Sequence, residues 1–293
     1  MKKWTGQSRG TILGYRIFVF CIKVLGIRTA YLVLWFVAAY YVLSLPQSNR
    51  AIYYYFKKRL GFSYLKSKIS VFKNYYTFGQ TIIDKTAISV GLRNRFTYEF
   101  DGIENLKSLL REKRGGVLIS AHIGNFEIAE KFLEEIDFNF QINLVTTDQE
   151  RNVIKEYLQS IAKRQSTIKF IMIKEDLSHI FEINRALSAN ELICFTGDRY
   201  FEGSKSMEEN LLGKSAKFPA GPFILASRLN VPVAFVYVMK EANLHYHLYA
   251  RIAQVKARKP EVLLQSYTQN LEKMINKYPL QWFNYFDFWD DLD

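Results

Sequence analysis

Residues 116–127 read GVLISAHIGNFE, an apolar run followed by a histidine, a glycine–asparagine pair and a glutamate. The apolar run predicts a buried strand that ends at His122, and Gly124 with Asn125 favours a tight turn into a helix. On an unbroken helix, the side chains of His122 and Glu127 would lie about 140° apart. The turn therefore decides the geometry, because it lets Glu127 reach back towards the imidazole of His122.

This arrangement suits a general base. An imidazole titrates near neutral pH, and a carboxylate can hold its ring in one tautomer. The simpler interpretation is that His122 only caps the end of a strand, so the rest of the chain has to decide between the two.

The sequence on both sides of this stretch alternates between strand and helix patterns. We predict strands at 96–100, 117–121, 141–146, 168–173, 192–195, 231–239 and 245–252, and helices at 103–113, 125–135, 149–163, 177–187, 219–228 and 261–277. A polar loop is expected at 200–217. Such alternation is typical of an α/β fold, a mostly parallel mixed sheet covered by helices, here with one hairpin near its end.

The N-terminal part has a different composition. Residues 29–45 carry no charge, and their length is at the short limit for crossing a bilayer. Basic residues flank them on both sides, so the positive-inside rule gives no orientation. Three interpretations are open: a spanning anchor, a helical pair lying in the inner leaflet, and a buried soluble helix. We divide the chain into a membrane anchor with interfacial helices at 1–59 and an α/β catalytic domain at 60–293.

Residues 60–92 read as the helical beginning of that second domain. Their apolar side chains recur at helical spacing, at Phe62, Leu65, Ile69, Phe72 and Tyr76. This spacing predicts a helix with one apolar face.

The composition points to an anionic partner. The chain carries 40 Lys and Arg against 28 Asp and Glu, a net charge of +12, and 16% of its residues are aromatic. Basic and amphipathic aromatic side chains together favour a membrane interface, and we find no zinc-ligand spacing or aromatic–glycine signature of nucleic-acid binding. The two cysteines, Cys21 and Cys194, lie in an apolar segment and a core strand, which predicts free thiols in the cytosol.

Two further motifs follow the same logic as His122. Gly197, Asp198 and Arg199 come directly after an apolar strand, and open α/β sheets bind ligands at the carboxyl ends of their strands. Arg199 could bind a phosphate, and Asp198 could orient Arg199 or the acceptor. The alternative is a purely structural Asp–Arg pair.

The third motif of the chain, residues 218–222, reads FPAGP and opens a helix downstream of Lys214 and Lys217. Helix amino ends attract anions, which favours a phosphate site. Elsewhere, His245 and His247 share one face of a strand but have no third ligand nearby, so no metal site is expected. The aromatic residues 282–289 are expected to pack over the domain or to line an apolar channel.

These motifs, in this order together with Val231-Pro232-Val233, resemble the lysophospholipid acyltransferase superfamily. The chain is most similar to its lipid A biosynthesis (lauroyl/myristoyl) acyltransferase branch. The resemblance implies a membrane-bound enzyme at the bacterial inner membrane, facing the cytoplasm. It would transfer a fatty acyl chain from acyl carrier protein to a hydroxyl of a lipid A-type glycolipid precursor, with no cofactor.

The resemblance also implies roles for single residues. His122 would be the general base and Glu127 its partner. The substrate-binding set would be Gly124, Asn125, Asp198, Arg199, Lys217, Phe218, Pro219 and Gly221. Ala220 stands where glycerolipid members of the superfamily carry a glutamate, which favours the lipid A-like branch.

Other functions remain open. The donor could be acyl-CoA, and the acceptor could be an aminolipid or a polyene pigment precursor. The chain could also be a catalytically silent membrane protein that binds lipid.

Overall fold

The computed structural model describes residues 16–17, 19–133, 141–146, 168–174, 176–200 and 203–289. Its centre is a seven-stranded sheet in the order β1-β9-β8-β2-β5-β3-β4. Pairing is parallel except between β8 and β9. The strands are β1 (Thr97–Asp101), β2 (Gly116–Ser120), β3 (Ile142–Thr146), β4 (Lys169–Met172), β5 (Leu192–Thr196), β8 (Val233–Lys240) and β9 (His245–Ile252).

The α-helices among the described residues precede, separate and follow these strands. They are α1 (Ile27–Ser44), α2 (Pro46–Tyr54), α3 (Tyr64–Ala87), α4 (Ile103–Arg111), α5 (Ala129–Leu133), α6 (His179–Ser188), α7 (Ala220–Arg228) and α8 (Pro260–Lys277). The predicted mixed, mostly parallel α/β fold is confirmed. The helix predicted at 149–163 lies outside the described residues.

Strand β2 is the central strand, and all five of its residues are buried. Val117 and Ile119 join the core cluster that includes α7 and α8, whereas Leu118 joins the cluster that includes α4. Successive side chains of a strand point to opposite faces. A continuous apolar run is therefore what a strand covered by helices on both sides requires.

The polar loop predicted at 200–217 is wrong in its second half. Residues 206–219 form a separate antiparallel hairpin of β6 (Ser206–Leu211) and β7 (Lys214–Pro219). Leu212 and Gly213 connect the strands, and both have a positive φ, of 53° and 77°. Two such residues form the turn whose twist matches a two-residue hairpin. β6 alternates exposed and half-buried side chains, so its composition resembles that of a loop.

Helix α1 is apolar around its whole circumference and packs on α3. Within the described part of the chain, it is the one helix long and apolar enough to cross a membrane. Ala30, Leu34 and Ala38 form its buried stripe. Leu34 occupies the space that a Cβ at Gly79 would need, so the glycine lets the two helices approach closely.

Candidate active site

His122 lies beyond the carboxyl end of the central strand. Strands β2 and β5 are parallel neighbours that end opposite each other, at Ser120 and Thr196. The chain then places His122 beside Asp198, and the Nδ1 atom of the ring lies 2.7 Å from Oδ1 of the carboxylate. The backbone N–H of His122 also donates to both carboxylate oxygens, at 3.0 Å each. Two neighbouring strand ends therefore assemble an Asp–His dyad.

Asp198 receives a further hydrogen bond from outside the sheet. Nε1 of Trp282 donates to its Oδ2 at 3.1 Å. The side chain of Asp198 is 1% exposed, whereas that of His122 is 27% exposed. The carboxylate is thus enclosed and fixed, while the imidazole is partly exposed.

The charges around the dyad set its protonation state. Burial opposes ionisation of Asp198, but the charges and hydrogen bonds of His122 and Arg199 outweigh it and lower the pKa of the carboxyl below its usual value. Burial, followed by the positive charge of Arg199, lowers the pKa of His122, although Asp198 and Glu127 oppose this shift. At neutral pH, the Nδ1–H group of a neutral His122 ring donates a hydrogen bond to the ionised carboxylate of Asp198. That tautomer leaves Nε2 as a proton acceptor.

The structure shows a carboxylate partner of the His122 ring other than the expected Glu127. Asp198 makes the contact to the ring that the sequence assigned to Glu127. Glu127 lies on a short 3₁₀ turn, Phe126–Ile128, and forms an ion pair with Lys85 of α3. Its side chain is 45% exposed. The negative charge of Glu127 also raises the pKa of His122.

The turn after His122 is fixed by three other parts of the fold. Gly124 has a φ of 64°, and a Cβ there would overlap the carbonyl oxygen of Val238 in β8. The N–H of Asn125 donates to that same carbonyl at 2.7 Å, and the N–H of Gly124 donates to the carbonyl of Gln281 at 2.9 Å. The Asn125 side chain donates to the carbonyl of Thr81 in α3 at 3.0 Å. Gly124 and Asn125 thus shape the turn that presents His122.

Arg199 belongs to the same site. Its guanidinium donates to the carbonyl of Phe283 and lies 5.9 Å from the centre of the Phe286 ring. The expected alternatives were a phosphate ligand or a partner for Asp198. The structure adds that Arg199 ties the C-terminal segment to the dyad and lowers the pKa of His122.

The third sequence motif reaches the dyad through aromatic rings. Phe218 is fully buried at the end of β7 and contacts Phe288, with ring centres 5.6 Å apart. Phe288 in turn contacts Trp282 at 5.0 Å. Pro219 caps the amino end of α7. Lys217 in β7 and Gly221 in α7 flank this connection, and a Cβ at Gly221 would meet open space.

Sequence reasoning missed the role of the C-terminal segment in the site. Residues 282–289 pack over the domain, which is one of the two arrangements that the sequence analysis expected. In addition, Trp282 binds Asp198, and the N–H of Phe283 donates to the carbonyl of His122 at 2.9 Å. The density of aromatic residues predicts that this segment is buried. Nothing in the local pattern indicates which polar group the indole N–H of Trp282 contacts.

Comparison with known proteins identifies most of the chain. A family model described as "Bacterial lipid A biosynthesis acyltransferase" matches residues 64–289. No curated protein matches the chain. The matched region begins at α3 and includes the dyad, the third motif and the C-terminal aromatic segment.

Proposed function

The chain belongs to the bacterial lipid A biosynthesis acyltransferase family, and from this premise we propose a specific reaction. The protein transfers a fatty acyl chain from acyl carrier protein to a hydroxyl of a lipid A-type glycolipid precursor. Family membership supports an acyltransferase that acts on a lipid precursor. The observation that carries the chemical proposal is the buried Asp198–His122 dyad at the end of β2.

We propose that His122 is the general base. Its Nε2 takes the proton of the acceptor hydroxyl while that oxygen attacks the carbonyl carbon of the thioester. The tetrahedral intermediate then collapses, the C–S bond breaks, and the carrier's sulfur leaves as a thiol with the proton returned by the imidazolium. An enzyme serine is not needed, because the acceptor hydroxyl is itself the nucleophile.

The carboxylates of Asp198 and Glu127 have different roles in this mechanism. Asp198 fixes the tautomer and stabilises the imidazolium, as the third member of a serine triad does. Glu127, held by Lys85, adds a negative charge that favours the same imidazolium. Both carboxylates therefore stabilise charge that appears only while the proton is on His122, which is the condition for accelerating the chemical step.

The remaining predicted residues are proposed to bind substrate. Lys217 and the amino end of α7, formed by Phe218, Pro219 and Gly221, would hold a phosphate of the acceptor or donor, because a helix amino end attracts anions. Gly124 and Asn125 would border the reacting carbonyl. Arg199 would contribute positive charge next to it.

We further propose that the enzyme works at the bacterial inner membrane on its cytoplasmic side. The apolar helix α1 supports membrane attachment. Both cysteines, Cys21 and Cys194, are buried free thiols, as expected in a reducing compartment. The acidic carrier protein and the acceptor lipid would meet there.

The test measures transfer of a radiolabelled acyl chain from carrier protein to a lipid A precursor by detergent-purified protein. We expect His122→Ala to lose about 10²–10⁴-fold in rate. His245→Ala is the matched control, since His245 lies on β9, which β8 separates from β2 in the sheet, and it should retain wild-type activity.

Equal rates for wild type and His122→Ala would contradict the mechanism. Transfer only from acyl-CoA would overturn the donor, and mass spectrometry of a different labelled lipid would overturn the acceptor. No transfer from either donor to any lipid of the source cell would support the silent lipid-binding protein.

A further inference from the structure

Helix α1 leaves a wide apolar stripe uncovered. The side opposite its buried stripe exposes Leu32, Trp35, Phe36, Tyr40 and Leu43, each by 52–84%. A helix that is apolar on all sides belongs in a core or in lipid. Since the described part of the chain covers only one side of α1, the other side requires a different apolar environment.

Helix α3 extends this surface. Leu65 and Ile69 are 67% and 46% exposed, and with Phe72 they follow one another at helical spacing. Phe72 contacts Trp35 of α1, with ring centres 5.5 Å apart. The exposed stripes of the two helices therefore join. We call the stripe of α1 together with Tyr64, Leu65 and Ile69 of α3 the docking face.

The docking of α1 on α3 is incompatible with a separate spanning helix. Tyr41 stacks on Tyr75, and ten residues earlier Tyr31 hydrogen-bonds to Asp84, so the helices run antiparallel side by side. Asp84 is fully buried and pairs with Nζ of Lys240 in β8 at 2.6 Å. This buried polar cluster fixes the amino half of α1 to the sheet.

Length and charge lead to the same conclusion. The 18 residues of α1 extend about 27 Å, slightly less than the hydrocarbon core. If α1 crossed a bilayer while docked, α3 would enter it too, carrying the exposed cations Lys66, Lys68 and Lys73. Such charges inside a membrane are costly unless they reach the interface.

The charges around the docking face match an anionic bilayer surface. Thirteen Lys and Arg precede Asp84, and no Asp or Glu does. Lys66 lies 3.7 Å from the centre of the Phe62 ring, and Lys68 lies 5.2 Å from that of Tyr53. Cations beside aromatic rings at the edge of an apolar stripe are typical of an interfacial helix.

We propose that the docking face is seated in a single leaflet of an anionic bilayer and that α1 lies in the membrane plane without crossing it. The apolar stripe enters the acyl chains, and the cations contact the headgroups. This inference rests on the proposed membrane attachment but is independent of acyl transfer. It places the catalytic domain and both ends of α1 on the same side of the membrane.

Topology is tested with the full chain in bacterial cells. A reporter that is active only in the cytoplasm is fused before Met1 in one version and after Asp293 in another, and the converse periplasmic reporter is used in a second pair. We expect both ends to report the same side. Opposite sides would overturn the proposal, because the chain would then cross the membrane before the catalytic domain.

Binding is tested with vesicles of phosphatidylglycerol and phosphatidylethanolamine. We expect Phe36→Lys to weaken sedimentation with vesicles by about tenfold or more. Phe181→Lys is the matched control, because Phe181 is 78% exposed on α6, and it should bind like wild type. Circular dichroism and thermal unfolding in detergent verify that both variants are folded.

Two results would contradict the docking face. One is equal vesicle binding by Phe36→Lys and wild type. The other is a stable dimer that Phe36→Lys dissociates without any change in vesicle binding, which would assign the stripe to a second copy. Neither readout requires turnover, so failure of the docking face and failure of the acyltransferase proposal are separate outcomes.

Discussion

At the scale of single residues, the burial of two carboxylates separates their roles. Asp198 is enclosed and receives hydrogen bonds from the ring and backbone of His122 and from Trp282. Glu127 is nearly half exposed and pairs with Lys85. A buried carboxylate interacts through a lower dielectric than an exposed one, and its geometry is fixed. Asp198 is therefore the residue that orients His122.

This assignment predicts a difference between two isosteric substitutions. Asp198→Asn should lower kcat by about 10²-fold or more with little change in KM, because the amide no longer stabilises the imidazolium. It should also remove the downfield proton resonance of His122 Nδ1–H, which nuclear magnetic resonance detects. Glu127→Gln should keep that resonance. Its loss in Glu127→Gln would return the orienting role to Glu127.

The acid limb of the pH profile provides a second test at this scale. His122 can act as a base only when its ring is neutral, and a lowered pKa keeps the ring neutral down to a lower pH. Burial and Arg199 lower the pKa of His122, so kcat/KM should decline only below about pH 6.5. Arg199→Gln should raise that pKa and move the decline to higher pH, whereas Arg199→Lys should leave it in place. Identical profiles for all three proteins would contradict the role of Arg199.

At the scale of elements, α3 connects the proposed membrane surface to the catalytic turn. Its first half contributes to the docking face. In its middle, Asn74 donates to the carbonyls of Leu280 and Trp282 at 3.0 and 3.1 Å. Its last turns carry Asp84, which holds α1 and β8, and Lys85, which holds Glu127. One helix thus supports the anchor, the C-terminal segment and the site.

The buried pair at the end of α3 predicts a large change in stability. Asp84→Asn would leave the ammonium of Lys240 buried without a counter-ion, and we expect a loss of about 3–5 kcal/mol in the free energy of unfolding. Tyr31→Phe removes one hydrogen bond to Asp84 and should cost about 1 kcal/mol. Denaturant titration in detergent measures both. If both variants lose the same free energy of unfolding, the ion pair between Asp84 and Lys240 does not contribute the expected stability.

The elements also show what the sequence could and could not predict. Buried strands such as β2 and β5, and the alternating strand β9, have patterns that burial itself imposes, so they were predicted to within a residue or two. The hairpin of β6 and β7 was missed because Met207 and Leu211 are the only apolar side chains of β6. The spacing of Leu65 and Ile69 predicted an apolar face, but periodicity does not say what covers it. The partner of His122 was missed because it lies 76 residues away.

At the scale of the whole molecule, the excess of basic over acidic residues is confined to one end of the chain. Thirteen of the 40 Lys and Arg precede Asp84, together with none of the 28 Asp and Glu. The remainder is close to neutral, with 27 cationic and 28 anionic side chains. The net charge of +12 therefore belongs to the part of the chain that carries the docking face, and it favours the headgroups of an anionic bilayer.

This distribution predicts where salt will act. Raising salt from about 0.05 M to about 0.5 M shortens the range of charge interactions, so binding to phosphatidylglycerol vesicles should weaken strongly. Turnover of detergent-dispersed acceptor should change much less. Parallel sedimentation and transfer assays measure the two effects. Equal salt sensitivity in both would mean that docking of the carrier protein, and not membrane binding, depends on the basic residues.

The contacts of Trp282 have a consequence for biosynthesis. The ring of His122 emerges from the ribosome first, its carboxylate follows 76 residues later, and the indole that fixes the carboxylate follows after another 84. Both members of the dyad are therefore made before strands β8 and β9, whereas the indole that fixes the carboxylate is made only after the last strand of the sheet. We therefore expect the site to be assembled only after translation has passed Phe283, and removal of this segment by a stop codon or a protease should abolish the proposed acyl transfer.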